Sequence, residues 1–307
     1  MLSSGYIKNA ALHVGFDMCG IARSRALNEN ETYFKRWLDE GRSGGLEYLG
    51  RNLDKRFDPS KLVEGAKSVV VCAVSYKNHV SDGYPEGAKA KIASYACAGD
   101  YHNIIKGLLR NLFMDLQRYS PTLSGRMFVD SAPILEKQFA VEAGLGWIGR
   151  QSLLVTRRYG TFVLLGELVL TEEVDKYDSP LMTGGCGECR RCVESCPVGA
   201  ILPEHSIDAA KCISCATVEA KIKDADDMKR HNRLNGWIFG CDDCQTNCPY
   251  NRMAEYHRLP AFNPIFDPRK ISPDDWISMD DEMFERQFGT TPLMRCGLDM
   301  IKHNLHK

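Results

Sequence analysis

The sequence predicts a mixed chain, α+β or α/β, followed by a cysteine-rich second part, and three observations predict it. Strand-like and helix-like segments alternate up to about Leu170. At about Thr171 the composition turns to acidic residues, Pro and Gly, which marks a boundary. Of the 13 cysteines, only Cys19, Cys72, Cys97 and Cys296 lie outside the stretch from Cys186 to Cys248.

The elements follow in order. Residues 1–25 read as a helix and a turn, or as a helix running into a short strand through Leu12, Val14 and Phe16 toward Cys19–Ala22. Thr32–Glu40 has helical spacing, with Tyr33, Phe34, Trp37 and Leu38 on one side. The glycines of Gly41–Gly50 make a loop. Ser68–Ser75 is a buried strand. Tyr101–Tyr119 has a helical period that Pro121 stops. Arg126–Asp130 reads as a short strand, Pro133–Ala143 as a helix with Gly144 at its C-cap, and Phe162–Leu170 as a strand. Past Pro249 the chain is rich in Pro, Asn and Asp until a helical segment at Asp280–Phe288. The expected division is 1–175, 176–255 and 256–307, the last packing on the core.

The chain of 307 residues is long enough for one large or two moderate domains. Its 44% apolar and 26% charged residues are ordinary for a soluble protein. A net charge of −1 gives no hint of a polyanionic partner, yet a local basic patch can hide in a neutral total. The first 25 residues hold no apolar core of signal-peptide length, and no apolar run reaches the ~18 residues that span a bilayer. These features predict a cytoplasmic protein. In a reducing compartment clustered cysteines point to metal rather than to disulfides.

The first cysteine run is Cys186-x2-Cys189-x2-Cys192-x3-Cys196-Pro197, the spacing of bacterial ferredoxins. Short gaps let three thiolates wrap one corner of a [4Fe–4S] cubane, and the fourth cysteine serves a second cluster. Structural zinc is the rival, but its knuckles are usually separated by a dozen residues or more. The second run, Cys241-x2-Cys244-x3-Cys248-Pro249, lacks its first cysteine, because Ile238 stands there. The spacing therefore assigns Cys186, Cys189, Cys192 and Cys248 to one cluster. It assigns Cys241, Cys244, Cys196 and either Cys212 or Cys215 to the other.

These runs, with Lys211-Cys212-Ile213-Ser214 and Gly240-Cys241-Asp242-Asp243-Cys244-Gln245, resemble the epoxyqueuosine reductase family. Asp100-Tyr101-His102, Val129-Asp130-Ser131-Ala132-Pro133-x-Leu135-Glu136 and Ala143-Gly144-Leu145-Gly146-Trp147-Ile148-Gly149-Arg150 extend the resemblance over roughly residues 5–260. It implies a cobalamin-binding α/β domain fused to a two-cluster ferredoxin-like domain. The implied reaction is the last step of queuosine synthesis, reduction of epoxyqueuosine to queuosine at the anticodon wobble position of tRNA. The family pattern favours Cys212 as the eighth ligand and leaves Cys215 over. Two features depart from it. Ser94 precedes Tyr95 where many relatives carry Arg, and the helical-repeat domain of longer relatives is missing.

Deoxygenating an epoxide takes two electrons, and the leaving oxygen needs a proton. The resemblance makes Asp130 the proton donor, against the alternative of a helix N-cap. A donor at neutral pH calls for a raised pKa, which burial beside a bulky cofactor can supply. The resemblance also implies cobalamin contacts at Arg56, Asp130, Leu154, Leu165, Ile213, Ser214, Asp242 and Asp243, with Tyr101 and His102 as pocket residues. Candidate tRNA contacts are Arg157, Arg158, Arg190, Arg191, Lys221, Lys223, Lys229, Arg230, His231 and Arg233. A monomer fed by a low-potential electron donor completes the expectation. The alternatives are a dehalogenase-like cobalamin reductase of a small molecule and a plain electron carrier.

Overall fold

The computed structural model describes residues 1–219 and 234–307. Its strands are β1 Met18–Arg23, β2 Ser68–Ser75, β3 Lys91–Ile92, β4 Gly125–Phe128, β5 Trp147–Ile148, β6 Leu154–Val155, β7 Val163–Leu170, β8 Ile201–Leu202, β9 Ser206–Ile207 and β10 Trp237–Phe239. The helices of the first part are α1 Ser4–Val14, α2 Asn28–Asp39, α3 Leu53–Phe57, α4 Tyr101–Tyr119 and α5 Glu136–Glu142. The cysteine-rich part carries α6 Arg191–Ser195, α7 Ile213–Val218, α8 Asp243–Thr246 and α9 Pro249–Arg252. The last residues form α10 Pro273–Ser278, α11 Asp281–Phe288 and α12 Gly297–Leu305.

The strand Ser68–Ser75 forms where expected, at the middle of the sheet, and every residue of it is buried. Val70, Cys72 and Val74 face one core with Ile7 of α1 and Leu109 of α4. Val69, Val71 and Ala73 face the other with Phe139 and Ala140 of α5. Alternate residues thus enter opposite cores, and helices on both faces explain the unbroken apolar run. On α4, Ile105, Leu109, Leu112 and Leu116 recur at helical spacing toward the sheet, and the Asp100 carboxylate caps the helix by accepting from the His102 N–H.

The sheet order is β1-β2-β7-β4, and every pairing in it is antiparallel. A ligand crevice at the carboxyl ends of parallel strands is therefore not what places Asp130. The strand before it ends at Phe128 rather than at Asp130, and α5 starts at Glu136 rather than at Pro133. The residues between are spent on a tight turn. Asp130 is not the N-cap of α5; Leu135 is, with no side-chain cap.

The three parts of the chain share packed surface. Strand β10 pairs in parallel with β3. Ile92, Cys97, Phe239, Trp276, Phe288, Leu293 and Ile301 form one apolar core. A buried polar network crosses between the first part and the cysteine-rich part. The Lys77 ammonium donates to the carbonyls of Asn251 and Ala254 at 3.0 and 2.8 Å. The Asn251 amide donates to Thr161 Oγ1, and the Gln245 amide to Asp242. With every such group partnered, the network fixes one arrangement of the parts. Among the described residues no helix is long and apolar enough to cross a membrane.

Candidate active site

Asp130 is a non-glycine residue with φ of 54°, in the left-handed region. That conformation costs about 1 kcal/mol or more and persists only where the surroundings over-determine it. Three contacts do so. The Tyr101 hydroxyl donates to Asp130 Oδ2 at 2.7 Å, His102 Nε2 lies 3.3 Å from the same oxygen, and the Asp130 N–H donates to Glu136 Oε1 at 2.6 Å. Tyr101 and His102 open α4, and their rings stack at 4.1 Å. His102 Nδ1 is 2.8 Å from Asp100 Oδ1. The start of one helix therefore presents a carboxylate, an imidazole and a phenol in a row to the turn carrying Asp130.

The expected rise in the Asp130 pKa is not what this geometry gives. The hydrogen bond with His102 holds the carboxyl below its ordinary value; burial opposes this, and the Tyr101 hydroxyl reinforces it. His102 is raised for the reciprocal reason, chiefly by its hydrogen bond to Asp130. The proton of the pair thus rests on the imidazole, one transfer away from Asp130.

The side chain of Asp130 is 57% open to solvent. Several side chains lie close enough to feel its charge. Tyr48 feels Glu219, Asp130, Arg295 and Cys215, and Tyr95 feels Asp242, Asp130, Cys296 and Glu219. Arg295 is clamped in two hydrogen bonds to Glu219 at 2.9 and 2.7 Å. The last part of the chain thus reaches the site of the first. Arg56, 9% exposed, stacks over Phe34 and reaches the Tyr48 carbonyl, while its Nε–H has no partner.

Behind the turn stand two more carboxyls. Glu167 on β7 is fully buried opposite Phe128 of β4, and neither of its oxygens meets a donor. The carboxyl set against it is that of Glu136, so the two can bond only through a proton carried by one of them. Burial and then the Asp130 charge push Glu136 up to about 7, and burial pushes Glu167 well above the carboxylate range.

The cysteines fall into two groups. Burial raises the Cys192 thiol, and Cys186, Cys248 and Cys189 add to the effect as near neighbours. Burial likewise raises Cys244, with Cys212, Cys192 and Cys196 close by. Cys212 feels Cys196 and Cys241 feels Cys244, whereas among the thiols Cys215 feels only Cys212. Among the described residues no three His, Cys, Asp or Glu side chains converge on a single ion; a cubane spreads its thiolates over its corners instead. Arg150 ties the first part to this loop region, donating to the carbonyls of Cys189 and Gly187 at 2.9 and 2.7 Å.

Residues 56–131 match the family described as "Epoxyqueuosine reductase QueG, DUF1730", and residues 185–251 match the "4Fe-4S double cluster binding domain". An epoxyqueuosine reductase of Cyclobacterium marinum is 41% identical over 98% of this chain and 94% of its own length. The chain belongs to the epoxyqueuosine reductase family. The solved epoxyqueuosine reductase of Streptococcus thermophilus superposes with a TM-score of 0.84 at 25% identity, over 99% of this chain and 80% of that one. Another solved epoxyqueuosine reductase, bound to an epoxyqueuosine-modified tRNA stem loop, superposes at 0.86 with 24% identity, over 98% and 79%. The mixed fold with a ferredoxin-like two-cluster part is confirmed, and its antiparallel main sheet makes the first part α+β.

The remaining expected contacts are dispersed. Leu154 is 3% exposed within the core under α5, and Leu165 packs half-buried against it. Ile213 is buried with Ala93 and Trp237, and Ser214 follows it half-buried. The Asp242 carboxylate is engaged by the Ser94 N–H and the Gln245 amide, and Asp243 by Asn235 and Trp237. Ser94, the departure from the family pattern, thus closes onto a cluster-flanking aspartate through its backbone. Arg158 pairs with Glu255 and Arg157 donates to Thr183, while Arg190 and Arg191 are exposed. Lys221, Lys223, Lys229, Arg230, His231 and Arg233 lie outside the described residues. Sequence reasoning missed Tyr48, Arg295, Glu136 and Glu167 as parts of the site. Only Glu136 carried a signal, its place inside the motif that contains Asp130.

Proposed function

We propose that this protein reduces epoxyqueuosine to queuosine in tRNA, with Asp130 delivering the proton that the departing epoxide oxygen requires. One observation carries the assignment of Asp130: its carboxylate is open to solvent while bonded to the His102 imidazole and the Tyr101 hydroxyl. The balance is an epoxide plus two electrons and two protons, giving an alkene and water. Asp130 Oδ2 relays a proton from His102 Nε2 to the oxygen, with Asp100 steadying the imidazole through Nδ1, and the second proton of the balance comes from solvent. Tyr101 orients the carboxylate. Membership of the family and the tRNA stem loop bound by a solved relative support the choice of substrate.

Two [4Fe–4S] clusters would sit on Cys186, Cys189, Cys192 and Cys248, and on Cys196, Cys212, Cys241 and Cys244. The two thiol groupings support this set and support leaving Cys215 out. The residues here suit cobalamin, the family's cofactor: Arg56, bonded to the Tyr48 carbonyl, has a buried Nε–H that no protein atom among the described residues accepts, and an amide-rimmed macrocycle supplies acceptors. When bound, that group supplies a strongly reducing centre for the carbon, and the clusters supply electrons one at a time. Arg56 and Asp130 would border it directly, and the backbone around Leu154, Leu165, Ile213, Ser214, Asp242 and Asp243 would complete the enclosure. We further assign the division 1–175, 176–255 and 256–307, a cytoplasmic monomer, tRNA contacts among Arg157, Arg158, Arg190 and Arg191, and a low-potential protein donor. Anaerobic reconstitution with cobalamin and a chemical reductant should convert an epoxyqueuosine stem loop to the queuosine form, read as loss of one oxygen by mass spectrometry. Turnover of a halogenated phenol without turnover of the stem loop would overturn the proposal.

A further inference from the structure

The Asp130 turn is held in a left-handed conformation by a group that the reaction itself does not use. Glu136, the first residue of α5, reaches back six positions to accept the Asp130 N–H at 2.6 Å. Its carboxyl also meets that of Glu167, which projects from β7 beneath the turn and is wholly removed from water. Two ionised carboxylates in contact, with the Lys137 ammonium engaged elsewhere and no donor to Glu167 among the described residues, would repel. One proton must lie between them for the pair to exist as it does.

We propose that Glu136 is a positioning residue for the epoxide reduction, and that the proton it shares with Glu167 holds it against the Asp130 N–H and so keeps the proton donor in place. The proposal rests on the reading of Asp130 given above, but its structural half stands apart from any substrate. The groups facing the pair are Asp130 in the turn, Lys137 on α5 and Cys72 on β2. Lys137 is turned away, its ammonium donating to the Ser152 carbonyl. None of them replaces the shared proton. Glu167 belongs to the sheet and cannot move, so it sets the level at which Glu136 stands. Glu136 in turn sets the level of the turn.

Glutamine and leucine substitutions separate this role from simple packing. Glu136→Gln keeps an oxygen for the Asp130 N–H and gives an amide donor to Glu167. Glu167→Gln gives an amide donor to Glu136. Both should keep kcat within about 5-fold, whereas Glu136→Ala and Glu167→Leu should lose about 100-fold in kcat, with KM for the stem loop little changed. Amide hydrogen exchange gives a readout independent of turnover: the Asp130 N–H should exchange faster in Glu136→Ala and Glu167→Leu, and at the wild-type rate in both Gln variants. Infrared spectra at neutral pH should show the carbonyl stretch of a protonated carboxylic acid in the wild type and lose it in either Gln variant. Wild-type exchange at Asp130 in Glu136→Ala, or no protonated carboxyl in the wild type, would overturn the inference whatever the substrate proves to be. Slow exchange lost together with kcat in the Gln variants would also count against it. If the exchange and infrared results hold but no variant changes turnover, the inference fails through the assignment of Asp130.

Discussion

His102 Nε2 stands 3.3 Å from Asp130 Oδ2, and its other ring nitrogen stands 2.8 Å from Asp100 Oδ1. The imidazole is therefore bracketed by two carboxylates, each favouring its charged form. In the proposed reaction the proton is stored on nitrogen and passed through oxygen. An aspartate with a lowered pKa can still act as the last donor, because its partner holds the proton within reach.

Asp130→Asn is the cleanest test of the donor. Asparagine tolerates a positive φ, so the turn should survive. Turnover of the modified stem loop should fall by about 100-fold or more, the scale of a lost general acid, while the cluster absorbance stays unchanged. Full activity in this variant would remove Asp130 from the chemistry.

His102→Gln should change the shape of the pH profile as well as its height. The His102 pKa is raised above 6.5, so its proton is present below that region and is lost as pH rises through the raised value. Wild-type kcat should therefore fall on the alkaline side, and the variant should lose this limb and run about 10-fold slower or worse. The same signs govern stability. The pair contributes above the lowered pKa of Asp130, where the aspartate is ionised, and below the raised pKa of His102, where the imidazole is charged. Within that window the contribution is level, so unfolding scans should show the variant less stable there, with smaller falls at the window's acid and alkaline edges.

Cys212→Ala and Cys215→Ala should part company. The first removes a member of the group around Cys196 and Cys244, and anaerobic preparations should lose about half their iron. The second should keep the wild-type iron content. Equal losses in both variants would reassign the eighth ligand.

The Glu136–Glu167 pair predicts a stability loss on the alkaline side. Glu136 has a folded pKa raised from 4.5 to about 7, so its protonated form is favoured by folding. Between these values the native state binds more protons than the unfolded chain, and stability falls as pH rises through them. Differential scanning fluorimetry of the intact holoprotein from pH 5 to 8, roughly the span set by that shift, should show Tm declining. In the Glu136→Gln/Glu167→Gln variant the decline should be smaller; an identical slope would mean that the pair does not titrate there.

The sequence by itself determined the parts whose signal is local. Ser68–Ser75 and Tyr101–Tyr119 were legible because strand and helix periodicity is written within the segment. The cluster cysteines were legible because a cubane demands short fixed gaps between thiolates. Asp130 was visible within its motif, but its conformation and protonation were not. Those depend on Tyr101 and His102, 29 and 28 positions away along the chain, and on a turn that replaced the expected start of α5. Only the tertiary structure decided that the strands run antiparallel, that Arg295 from the last segment is clamped to Glu219 within the field of Asp130, and that Glu167 lies buried against Glu136. The physical reason is common to all three. Strand direction, long-range fields and a shared proton arise from groups brought together by folding, and no spacing along the chain encodes them.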